Sequence, residues 1–291
     1  MNEYAHPETL VTTQWVSEHL EDPALRLVEV DVDTQVYRTG HIPGAIGFNW
    51  QKQLQDQVNR DILSRVAFEE LAGSHGIGED DTVVLYGDNH NWFAAYGFWL
   101  FRIYGHGDVR LMDGGRNKWL NEPGRALTVQ EPRFRPRTYR AKGIDRDIRA
   151  RVPDVLQVVH GLSGNLVDVR SPEEFAGTMV APPGMNESAQ RGGHIPGAVN
   201  IPWSRAVRLD GTFKSMDELR QLYLIEGSLD PSRPTFAYCR IGERSSHTWF
   251  VLACLLGLEN VRNYDGSWTE YGSMIGLPIE RLTLEAIPAG A

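Results

Sequence analysis

The chain has few cysteines. Only Cys239 and Cys254 occur in 291 residues, which excludes a disulfide framework and points to a reducing compartment. Read as a helix, residues 245–256 carry Cys254 away from Cys239, so the two thiols are not expected to pair. A basic segment followed by an apolar run is missing from the N-terminus, so no signal peptide is expected and the location is read as cytoplasmic. The longest apolar stretch, residues 248–258, is too short to cross a bilayer. Basic residues are in deficit, 29 against 38 acidic, for a net charge of −9, which argues against nucleic acid or an anionic membrane as the partner. No His/Cys spacing of a metal site appears, so no metal is expected. Core material is not scarce: 41% of residues are hydrophobic and 23% charged, in a chain long enough for two ordinary domains.

One unit is written twice. Gly40-His41-Ile42-Pro43-Gly44-Ala45 returns as Gly193-His194-Ile195-Pro196-Gly197-Ala198 at an offset of 153. Tyr86 corresponds to Tyr238, and Val109-Arg110-x-x-Asp113-Gly114 to Val261-Arg262-x-x-Asp265-Gly266, both at 152. Upstream, Leu27-Val28-Glu29-Val30 matches Leu166-Val167-Asp168-Val169 at 139, so the second copy carries 14 extra residues, in the Pro/Gly-rich stretch around 181–191. A repeat of about 140 residues is of domain length, too long for a solenoid unit. Strand-like runs at 25–32, 82–86 and 109–112, and again at 165–169, 235–238 and 261–264, alternate with helical patterns such as 12–20. That alternation predicts an α/β fold in each copy, a mostly parallel sheet with helices on both faces. We place the first domain at 1–135, a polar, Pro- and Arg-rich linker at 136–145 and the second domain at 146–291.

The stretch of greatest chemical interest follows the run Thr235-Phe236-Ala237-Tyr238: Cys239-Arg240-Ile241-Gly242-Glu243-Arg244-Ser245-Ser246. In parallel sheets the ligand sits beyond the carboxyl ends of the strands, where Cys239 falls. A helix is expected from Ser245 onward, capped by the serine pair. Loop amides, the positive end of that helix, Arg240 and Arg244 would together favour the thiolate, the reactive form of cysteine. A lone cysteine after an apolar strand is also an ordinary core residue. Against that reading, Arg240, Glu243 and Arg244 cannot enter a core unpaired. The spacing is C-x4-R, one residue shorter than the C-x5-R of cysteine-dependent phosphatases, and a loop that tight suits a single sulfur better than a tetrahedral phosphate.

These features resemble the tandem-domain form of the rhodanese family of sulfurtransferases. The resemblance rests on Asp168-Val169-Arg170-Ser171-Pro172-Glu173-Glu174-Phe175, on the two G-H-I-P-G-A copies, on the six-residue loop Cys239–Arg244 and on the closing V-x-N-Y-D-G-S-W at 261–268. It implies two rhodanese-like domains with only the second active, and Gly87 indeed stands where the first copy would carry the nucleophile. It further implies that the Cys239 thiolate attacks the outer sulfur of thiosulfate, that sulfite leaves, and that a thiol or cyanide then removes sulfur from the persulfide. No cofactor is implied beyond that covalent persulfide. The loop from Arg240 through Ile241, Gly242, Glu243 and Arg244 would hold the donor and spread the persulfide charge.

Within the family, mercaptopyruvate-specific members carry the nearly neutral C-G-[ST]-G-V, so C-R-I-G-E-R looks more like the thiosulfate type. Two positions depart from that type: Glu174 and Ile241 stand where vertebrate-like thiosulfate enzymes have basic residues. Arg191 is the candidate to replace the missing charge. The readings left open are a 3-mercaptopyruvate sulfurtransferase, a persulfide carrier serving one protein partner, and, least, a phosphatase. The protein is expected to be a monomer.

Other residues carry two readings each. Asp168 and Arg170 either orient the loop or form a strand-end ion pair. His247 either touches an acceptor or sits on a solvated helix face. Trp203 and Trp268 either line the cleft or fill the core. His41 and His194 occupy matching turns, one in a copy without a nucleophile, which marks both as structural.

Overall fold

A computed structural model describes residues 3–182 and 189–282, so part of the extra stretch in the second copy lies outside the described residues. The chain divides into two compact units. One is His6–Asp145 with Val207–Phe213; the other is Arg146–Ala206 and Lys214–Ala291 with Met1–Ala5.

The first unit is built on β1 (Leu10–Val11), β2 (Leu25–Asp31), β3 (Ile46–Asn49), β4 (Thr82–Tyr86) and β5 (Val109–Met112), in the order β1-β5-β4-β2-β3. All its strand pairs are parallel. The second unit repeats the plan with β6 (Asn165–Asp168), β7 (Val199–Asn200), β8 (Thr235–Tyr238) and β9 (Val261–Asn263), ordered β7-β6-β8-β9 and again all parallel. Helices alternate with these strands, giving the α/β architecture twice. The physical reason is legible in β2, which is buried along its whole length as a strand covered on both faces must be. The strands stop one residue earlier than their apolar runs, at Asp31, Asp168 and Asn263, where side chains turn to polar partners. β1 and β7, two residues each, carry too little pattern to be read from sequence.

The two cores match. Leu27, Ile42, Val84, Tyr86 and Met112 pack in the first unit, and Leu166, Ile195, Phe236, Tyr238 and Trp268 in the second. In each, the tyrosine ending the central strand accepts a hydrogen bond from the repeated H-I-P turn: Ile42 N–H to Tyr86 and Ile195 N–H to Tyr238, both at 3.1 Å. The segment 136–145 runs along the first unit, with Arg137 N–H donating to Gly73 and Asp145 N–H to Ile103. β8 lies between β6 and β9, so its carboxyl end is the centre of the second sheet's upper edge, and Cys239 is the next residue.

Candidate active site

The helix that follows the Cys239 loop runs from Glu243 to Phe250 and continues as a π-helical turn over Val251–Leu255. It starts two residues before the serine pair, with Gly242 as the cap at φ +103°. A side chain at position 242 would meet the Asp265 carbonyl at 2.9 Å, so glycine is required there on two counts. The serines do not cap the helix; their hydroxyls donate back to the Gly242 carbonyl at 3.1 and 2.7 Å. With Asn263 Nδ2 also at that oxygen (3.4 Å), the Gly242 carbonyl is pinned on one side. The loop amides face the sulfur instead, and Gly242 N–H donates to Cys239 Sγ at 3.2 Å.

The floor of the loop comes from the segment after β9. Ser267, held at φ +54°, accepts the Cys239 N–H on its Oγ at 3.1 Å. Its hydroxyl donates to Tyr264 O at 2.8 Å and lies 3.9 Å from the sulfur. Trp268 N–H and Thr269 N–H bind the carbonyls of Cys239 and Arg240, both at 3.0 Å. Sequence reasoning missed Ser267 as a site residue, although the V-x-N-Y-D-G-S-W stretch containing it was visible.

The charges are paired. Arg244 donates from both Nη atoms to Glu174, at 2.8 and 3.0 Å, and its Nε lies 3.6 Å from Glu243. Burial opposes the charge on Glu174, but the Arg244 hydrogen bond and charge outweigh it and hold the carboxyl below its ordinary range. Glu174 therefore neutralises the loop arginine and does not stand as a free carboxylate against a donor. Glu243 Oε2 accepts from the Cys239 thiol at 3.4 Å. Cys239 is 0% exposed, and burial followed by the Glu243 charge pushes its thiol up, against the pull of Arg244 and the hydrogen bonds from Ser245. Burial and the Glu243 carboxylate thus work against the thiolate that Arg244 and the loop hydrogen bonds favour. Desolvation and a carboxylate outweigh the arginine and the loop amides.

Arg240 and Ile241 are buried in the same loop, at 6% and 5% exposure. Asp168 and Arg170 form a fully buried ion pair at the end of β6, closest at 2.5 Å, and Arg170 also donates to Gly193 O at 2.8 Å. Its guanidinium stacks over the Trp268 ring at 4.7 Å, which places Trp268 in the core. The pair joins strand end, turn and tryptophan without touching the sulfur. Arg191 is not brought to the loop. Its guanidinium donates to the carbonyls of Gly272, Leu277, Tyr271 and Met274, at 2.7 to 3.2 Å, and serves as a clamp on the chain after residue 270. His247 is buried, not solvated, and meets the Trp203 ring edge-on at 5.7 Å. His41 and His194 stack on Tyr37 and Phe175 and bind their carbonyl oxygens through Nδ1, both at 2.8 Å.

The rhodanese-like domain family matches residues 12–122 and again 154–274. A Haloferax volcanii protein provisionally named thiosulfate sulfurtransferase is 58% identical over 94% of this chain and 96% of its own length. The sulfur carrier protein TtuD of Thermus thermophilus is 53% identical over 96% of this chain and 98% of its own. Among solved structures, SseA from Escherichia coli, described as a 3-mercaptopyruvate sulfotransferase with the rhodanese fold, superposes with a TM-score of 0.76. It is 26% identical, over 89% of this chain and 98% of that one.

Proposed function

The chain belongs to the rhodanese family of sulfurtransferases, and on that premise we propose that it moves a sulfane sulfur from thiosulfate to a thiol or cyanide through a persulfide on Cys239. The observation that carries this reading is the loop itself. One sulfur atom sits at the carboxyl end of the central strand with the Gly242 amide at 3.2 Å and an arginine in the same loop. Such a loop can stabilise negative charge on a sulfur as it moves one atom outward into the persulfide. Cys239 attacks the outer sulfur of thiosulfate, the donor's S–S bond breaks, and sulfite carries away the electron pair. The acceptor then takes the outer sulfur and Cys239 is restored. The sulfur donor and acceptor are small molecules, no resident cofactor takes part beyond the persulfide, and the protein works as a cytoplasmic monomer.

A second reading has an observation of its own. Arg244 is matched by Glu174, so the pocket offers a dianion less net positive charge than the sequence of the loop suggests. Together with the likeness to a sulfur carrier, this favours a persulfide that waits for a protein acceptor.

Intact mass after incubation with thiosulfate, beside Cys239→Ser and repeated with 3-mercaptopyruvate, tests both readings. A gain of about 32 Da with thiosulfate that vanishes in the variant is the expected result. A gain with mercaptopyruvate alone keeps the persulfide and reassigns the donor. Subsequent loss of the added sulfur on free cyanide or dithiol marks the enzyme; persistence until a specific protein is supplied marks the carrier. No gain with either donor would overturn the proposal.

A further inference from the structure

The sulfur that must become a nucleophile is a buried thiol, and its proton needs a destination. Cys239 and Glu243 are 0% and 1% exposed, and Sγ and Oε2 lie 3.4 Å apart. Among the described residues, two carboxylates meet the loop's Arg244, Glu174 and Glu243. Glu174 is committed to Arg244 through both oxygens, at 2.8 and 3.0 Å. Glu243 reaches Arg244 only at 3.6 Å, from Oε1, and keeps Oε2 on the thiol. Among the described residues, the sulfur also meets the Gly242 amide at 3.2 Å, the Ser245 donors and the Ser267 hydroxyl at 3.9 Å, and it feels the Arg244 charge. The serine hydroxyls are far weaker bases than a carboxylate, and the Gly242 amide already donates to the sulfur.

We propose that Glu243 is a catalytic residue, the proton acceptor that converts the Cys239 thiol into the attacking thiolate. This rests on Cys239 being the sulfur-bearing nucleophile. In the step, the S–H bond of Cys239 breaks and its proton passes to Glu243 Oε2. The electron pair left on Sγ forms the new S–S bond to the outer sulfur of thiosulfate, and the old S–S bond breaks with its pair leaving on sulfite. Charge balances. Glu243 carries one negative charge and thiosulfate two before the step; the persulfide carries one and sulfite two after it. When cyanide removes the outer sulfur as thiocyanate, the bonding pair returns to Cys239 and Glu243 gives the proton back.

The same carboxylate also opposes the thiolate electrostatically, and that conflict supplies a test with opposite signs. If Glu243 only holds the thiol neutral, Glu243→Gln forms the persulfide faster at pH 7. As the proton acceptor, its loss makes the reaction slower, by about 10²-fold, and the rate of the variant then climbs about tenfold per pH unit as bulk solvent takes over the proton. The measurement is the rate of sulfur gain by intact mass in a single turnover with thiosulfate, from pH 6 to 9, with melting curves to check folding. The wild-type profile should be nearly flat between pH 6 and 8, because the proton stays inside the pocket. That arm stands even where the variant does not fold. A variant as fast as or faster than wild type at pH 7, or a wild-type rate rising tenfold per pH unit, would overturn the assignment. No sulfur gain in the wild type at any pH would instead sink the persulfide reading, and this one with it.

Discussion

The two copies keep one scaffold and reverse the chemistry at its centre. In both, an arginine binds the carbonyl of the glycine that opens the G-H-I-P-G-A turn and pairs with the acid of the second strand or its counterpart. In the second copy Arg170 binds Gly193 O and Asp168; in the first, Arg116 binds Gly40 O and Glu29. Yet Arg116 corresponds to Trp268, not to Arg170. The position of Arg170 is taken by Asp31, and the positive charge has moved to a different element while keeping its target. The lesson is that the fold conserves a charge at a place in space, and two chain positions can supply it.

The loops after the central strands differ more deeply. Cys239 N–H is held by Ser267, whereas Gly87 N–H is held at 3.0 Å by Asn91, whose own amide donates to Met112 O at 2.8 Å. Asn89, His90 and Asn91 are all left-handed, with φ between +51° and +69°, so the first loop closes on itself. A Cβ at position 87 would meet the Val30 carbonyl at 2.4 Å. The surroundings differ as well. Burial and then the Asp88 charge raise the Asp31 carboxyl to about 8, and burial raises Glu29 and Asp88.

The largest expected effect tests that difference directly. Cys239→Ser should lower sulfur transfer on the order of 10³-fold or more, and adding Gly87→Cys to that variant should restore none of it. A rescued cyanide or dithiol assay would break the comparison. Next, Glu174→Ala strands a buried arginine and should cost about 3–5 kcal/mol in denaturant unfolding of the second domain. An unchanged midpoint would mean that Arg244 finds another partner. Arg170→Met should cost more than Arg116→Met, by about 1 kcal/mol or more, because Arg170 meets its carboxylate through two nitrogens and Arg116 through one short contact. Equal melting losses would contradict that ordering.

The last effect is one of slope. With Asp31 held near 8 in the folded state against an ordinary value of 3.8, its neutral form contributes stability that is complete below about pH 4. That contribution is lost as pH rises through 8. Asp31→Asn mimics the neutral acid at every pH, so its advantage over wild type should widen by about 1.4 kcal/mol per pH unit across that window. A constant gap in melting temperature from pH 4 to 8 would show that Asp31 is ionised in the fold.

Much of this was legible in the chain. Buried parallel strands announce themselves as apolar runs, and the repeat alone sets Gly87 opposite Cys239. What the sequence did not show is pairing over distance. Glu174 reads as an acid opposing the donor until its partner Arg244, 70 residues away, is seen to hold it. Arg191 reads as a spare charge until four carbonyls claim it. The surroundings of Cys239 were half legible for a related reason: charges near a thiol can be read from the loop, but burial, which raises its pKa, cannot. Ser245 and Ser246 looked like a cap, but the left-handed Gly242, three residues before Ser245, had already opened the helix.

The central claim is that one thiol, in the second copy alone, carries the sulfur. Peptide mapping after thiosulfate treatment tests it most directly. Sulfur, about 32 Da, on the peptide containing Cys239 and none on that containing Cys254 is the predicted result. Sulfur on Cys254, or transfer activity that survives in Cys239→Ser, would contradict it.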